Sequence, residues 1–202
     1  MAVTALTALT AAAPAWSAGF TGPQDPSLFT TANVGTLTGG APALGSATFS
    51  ALQLVLVGSN TTSPAPGGTT PGCSGGQYGF IGSPCRLQTV INAPGVYSFN
   101  WSYVTFDADG PGGDILGVLV NGTRVALSDV GGPVVQTGSA SFVATSSFGW
   151  FMNCTDCIGG AATSTISALQ VSPVPEPAAP ALLAAGLVAL AAGGRFRRLS
   201  RS

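Results

Sequence analysis

Val96-Tyr97-Ser98-Phe99-Asn100-Trp101-Ser102-Tyr103-Val104-Thr105-Phe106 alternates large aromatic with small polar residues. A side-chain repeat of two is the signature of an extended strand with one face unlike the other. Tyr97, Phe99, Trp101 and Tyr103 therefore share a face, and Ser98, Asn100 and Ser102 take the opposite one. A core-facing aromatic stripe is the preferred reading. The rival is an exposed aromatic platform for sugar rings. Working outward, Asp107-Ala108-Asp109-Gly110-Pro111-Gly112-Gly113-Asp114 reads as a tight acidic turn. Asn121-Gly122 between the apolar runs 115–120 and 123–127 is the strongest short hairpin signal, through a type I′ turn. Further strand-like runs cover 47–58, 139–145, 148–153 and 163–171, separated by Gly, Pro and Asn. The total of about eight strands suits an all-β, two-sheet β-sandwich or jelly roll. That domain is placed at residues 19–172, and 61–76 is read as a mobile Pro/Gly loop.

Composition narrows the chemistry. The chain has six Lys and Arg together, seven acidic residues and no histidine. All of its basic residues are arginines, and only Arg86 and Arg124 fall inside the domain. So little positive charge excludes a phosphate-neutralising nucleic-acid surface. Without histidine there is no Ser-His-Asp or Cys-His site, and without lysine no Ser-Lys variant or phosphate loop. Four cysteines are present. In an exported chain an even number points to disulfides. Cys73–Cys85 and Cys154–Cys157 are the simplest pairing, and the other connectivities stay open. A zinc site is disfavoured, because it would want two tight cysteine pairs or added histidines.

Both ends of the chain look like signals. Residues 1–18 are small and apolar, with Ala13-Pro14-Ala15 and Ser17-Ala18 as cleavage sites, as in a secretory signal peptide. The basic start of such a peptide is missing, which fits a signal truncated at its beginning. At the other end, Val174-Pro175-Glu176-Pro177 precedes an apolar run over 178–194 and a basic end at Arg195, Arg197 and Arg198. The run is read as a single transmembrane helix, short of the about 20 residues of a permanent span. The arginines hold its end in the cytoplasm.

This order of motif, span and basic cluster, over residues 173–198, resembles the PEP-CTERM sorting tail. A second stretch is similar to a β-sandwich domain that recurs in that family. It comprises residues 97–111, then Leu119-Val120-Asn121-Gly122 and Leu127-Ser128-Asp129. The resemblance implies an exported protein held in the inner membrane and then processed by exosortase. It also implies delivery to the cell surface or matrix and association with exopolysaccharide and biofilm. The Pro/Gly loop and both cysteine pairs depart from the family pattern.

The aspartates are the only concentration of ionisable groups. Asp107, Asp109 and Asp114 could wrap calcium, which prefers oxygen ligands, or simply build a turn, which Asp and Gly favour. They do not supply the two sides of a glycosidase cleft, for which Asp129 or Asp156 would have to be enlisted. The expected protein is therefore non-enzymatic, with no resident cofactor. A matrix or carbohydrate-binding module would use solvent-facing aromatics such as Trp150. A glycan-active hydrolase and a passive surface-layer constituent are the alternatives.

Overall fold

A computed structural model of the chain describes residues 17–35, 44–60, 73, 75–155, 157 and 159–174. The signal residues 1–16, most of the 61–76 loop, Asp156 and the tail from Pro175 onward lie outside the described residues. The described residues form strands, short 3-10 turns and loops. The strands are β1 (Ser17–Ala18), β2 (Phe29–Val34), β3 (Ser46–Phe49), β4 (Gln53–Val57), β5 (Arg86–Ile91) and β6 (Gly95–Val104). They continue with β7 (Asp114–Val120), β8 (Thr123–Ala126), β9 (Val135–Ala144), β10 (Phe148–Cys154) and β11 (Thr163–Ser172). One sheet runs β3-β4-β11-β6-β9 with β1 added on β11, and the other runs β2-β5-β10-β7-β8. Every pairing is antiparallel.

The all-β sandwich expectation holds, and the expectation of about eight strands is corrected to the eleven above. The run 47–58 is a hairpin and not one strand. Ser50 breaks it: its hydroxyl accepts from Gln53 N at 3.1 Å and donates to Gln53 O at 3.2 Å. A side-chain-bonded serine turn needs no Gly or Pro to mark it. The fold also starts earlier than residue 19. Ser17 and Ala18 pair with Val171 and Gln170, and Phe20 is buried.

The aromatic face of β6 points into the core, with Tyr97, Phe99 and Tyr103 buried and Trp101 half-buried. It meets the second sheet directly. Tyr97 stacks on Phe148 with ring centroids 4.1 Å apart, and Phe99 meets Trp150 edge-on at 5.4 Å. Such pairs add about 0.5–1.5 kcal/mol each beyond the area they bury. The tyrosine hydroxyls keep partners: Tyr97 donates to Ala93 O at 2.8 Å and Tyr103 to Asp114 O at 2.6 Å. Burial pushes the Tyr97 hydroxyl up to about 12. It raises Tyr103 as well, helped by the charges of Asp114 and Asp107.

Two local devices keep the inner faces in phase. Asn121 (φ 52) and Gly122 (φ 81) form the left-handed pair that a type I′ turn requires between β7 and β8. The Asn121 Oδ1 also accepts from Thr145 N and Ser146 N, both at 2.9 Å, tying this turn to the β9–β10 connection. In β11 a bulge shifts the register between Ser167 and Gln170, with Ala168 at φ 50. The extra residue changes which positions point inward. Ile166 is buried before the bulge, and Leu169 and Val171 after it.

Candidate functional site

A sandwich has two outer faces, and here they differ in chemistry. The five strands β3, β4, β11, β6 and β9 contain no Asp, Glu, Lys or Arg. Their outward positions carry hydroxyls, amides and valines. Register sets these in rows: Thr48, Val55, Thr165, Ser102 and Thr137 form one, and Gln53, Ser167, Asn100 and Ser139 the next. Near the β11 bulge the face dips into an open depression of about 460 Å³. Ser98, Asn100, Ser139, Ser141, Ala168 and Gln170 line it. Ser98 and Ser141 share a hydrogen bond of 2.9 Å between their hydroxyls. This surface can exchange hydrogen bonds with neutral polar groups and has no charge with which to hold an ion.

The opposite outer face is covered. Ile115, Phe151 and Asn153 point away from the core and are nevertheless fully buried. Phe151 lies over Gly117, where an added Cβ would come within 2.3 Å of its ring. Residues 75–85 run across this face. Asn153 Nδ2 donates to Ile81 O at 2.6 Å, and one Arg124 nitrogen donates to Ile81 O at 2.8 Å and Ser83 O at 2.9 Å. Midway along the segment Gly79 N donates to Gly112 O. Burial lowers the pKa of Arg124, and it lowers that of Arg86 too, where the Arg124 charge adds to the effect. Arg124 therefore serves to bind carbonyls and hold a loop, while Arg86 Nε donates to Gln88 Oε1 at 2.7 Å along its own strand.

Both disulfides form as expected, Cys73–Cys85 and Cys154–Cys157. They share one buried cluster at the root of the covering segment. Ser83 Oγ donates to Cys154 O at 3.0 Å, and Cys154 N donates to Cys85 O at 3.2 Å. Closing the Cys73–Cys85 loop stabilises the fold by about 3 kcal/mol on chain-entropy grounds.

The three aspartates divide between two environments. Asp107 and Asp114 are buried and Asp109 is exposed. Asp107 Oδ1 accepts from Asp109 N at 2.7 Å, an Asx turn, and Thr105 Oγ1 donates to Asp114 Oδ2 at 3.1 Å. The turn chemistry is thus present in full. Among the described residues no group of three or more His, Cys, Asp or Glu is placed to hold a metal ion. Asp129 stands in a separate turn, where its Oδ1 accepts from Gly131 N.

Trp150 requires a correction. It is fully buried, packed against Phe20, Phe29, Phe99 and Phe148, and offers nothing to a sugar. Its strand, β10, is central in its sheet and buried on both sides, so no residue of Phe148–Cys154 reaches solvent. Sequence reasoning missed the outer face of β3-β4-β11-β6-β9. The signal lay in the polar half of each alternation, which was read only as the side away from the core. The sorting residues Pro175, Glu176, Pro177, Arg195, Arg197 and Arg198 are outside the described residues, and Val174 is the last one described. No helix among the described residues is long and apolar enough to cross a membrane. Compared with known proteins, the chain matches no family model and no curated sequence.

Proposed function

We propose that the chain is an exported, non-enzymatic protein of the cell surface or extracellular matrix, sorted by exosortase through its C-terminal tail. The reading rests on one observation: a domain closed by two disulfides ends at Ser172, immediately before Val174-Pro175-Glu176-Pro177 and the apolar run. Disulfides persist in oxidising compartments, which agrees with export. Cleavage of the leader after Ala15 leaves β1 in the mature fold, whereas cleavage after Ala18 would remove it. Contact with exopolysaccharide falls to the uncharged hydroxyl face of β3-β4-β11-β6-β9, where neutral sugar hydroxyls find donors and acceptors without desolvating a charge. A hydrolytic role finds no support in Asp107, Asp109 and Asp114, which sit around one turn and not across a cleft.

Deleting Pro175–Ser202 tests the sorting. Cells expressing the truncated and full chains are fractionated and blotted. The full chain should pass through a membrane fraction, shorten, and reach the surface or medium. The truncated chain should skip the membrane stage and keep its size. Identical location and size for the two would refute the proposal.

A further inference from the structure

β9 is an open edge. It pairs with β6 along its whole length, and among the described residues no strand pairs with its other side. Thr105 N donates to Val134 O, and Val104 stands opposite Val135, which sets the phase of the ladder. Even-numbered residues of β9 therefore bond to β6. Val135, Thr137, Ser139, Ser141 and Val143 turn their N–H and C=O groups outward along the edge.

Proteins usually blunt such an edge with a short strand, a charge, a proline or a bulge. Of the other edge strands, β3 and β8 are four residues each, β8 carries Arg124, and the uncharged β2 is six residues. β9 is ten residues of VQTGSASFVA, with no charge, no proline and an unbroken register. Its outward valines are exposed, Val135 at 59% and Val143 at 54%.

From this we infer that β9 pairs antiparallel with β9 of a second copy, joining two sandwiches through one continuous sheet. The strand is its own complement. With Ser139 on the two-fold axis, Val135 faces Val143 of the other copy, Thr137 faces Ser141, and Ser139 faces Ser139. Each outward N–H then meets a C=O, the two exposed valines cover each other twice, and no like charges meet. The hydroxyl rows of the outer face continue across the seam.

Sedimentation equilibrium of the full chain in density-matched detergent tests this, with Ser139 as the probe because its side chain is exposed and bonds to nothing in the core. Wild type should sediment as a dimer at micromolar protein. Ser139→Lys and Ser139→Asp place like charges on the axis and should each raise the dimer dissociation constant by roughly tenfold or more. An equimolar mixture of the two variants should recover dimer, which neither a misfolded chain nor pairing through the tail would do. A monomeric wild type, a dimer indifferent to both variants, or a mixture that stays monomeric would each overturn the inference.

Discussion

The two outer faces of this sandwich are built from the same kind of strand and end in opposite states. On the β2-β5-β10-β7-β8 side, outward-pointing Phe151, Ile115 and Asn153 are sealed beneath residues 75–85. Arg124 and the Cys73–Cys85 bridge hold that segment down. On the other side nothing charged, aromatic or disulfide-bonded interrupts rows of Ser, Thr, Asn, Gln and Val. The covered face extends the core by another layer. The bare face contributes little to stability and leaves its polar groups free to meet something else. Charge and crosslinks sit where they hold the covering segment, and the bare face has neither.

Substitutions should split along this line. Phe151→Ala on the covered face opens a cavity and should cost about 3–5 kcal/mol, as for a core phenylalanine, read as a shift in the urea midpoint. A loss under about 1 kcal/mol would mean that residues 75–85 do not seal that face. Arg124→Leu removes the charged donor to two carbonyls while keeping the apolar stem. It should cost about 2 kcal/mol and increase proteolytic nicking between residues 75 and 85. An unchanged digestion pattern would show that the disulfide alone holds the segment. The smallest effect is expected on the bare face. Asn100→Ala with Ser102→Ala should stay within about 0.5 kcal/mol of wild type. The same pair should weaken retention on a neutral polysaccharide in affinity electrophoresis. Retention equal to wild type would return this face to the role of a passive surface.

Much of the architecture could be read in the chain because inside and outside alternate. β6 announces itself through four aromatics on one face, and Asn121-Gly122 through the backbone angles that its turn demands. β10 was harder. Phe148-Gly-Trp-Phe-Met-Asn-Cys154 is buried on both sides, so its pattern does not say which way Trp150 points. That uniformity is itself the mark of a face covered by another segment. β5 alternates well, with Leu87, Thr89 and Ile91 inward, but it follows a cysteine and opens with Arg86, and the expected strands do not include it. The hairpin at Ser50 escaped notice because a serine hydroxyl made the turn. For the candidate site, the cysteine partners were legible from proximity in sequence. The hydroxyl face was not, because adjacency across strands exists only once the register is known.

The short ladder between β1 and β11 has a mechanical consequence. Ser17 lies beside Val171, so the chain enters and leaves the fold at one corner. Load applied through the C-terminal end travels along β11, which is flanked by β4 and β1 on one side and by β6 on the other. Pulling that strand out means breaking its bonds to both neighbours together and not peeling them singly. A pull on that end is thereby resisted by ladders on both sides of the strand at once.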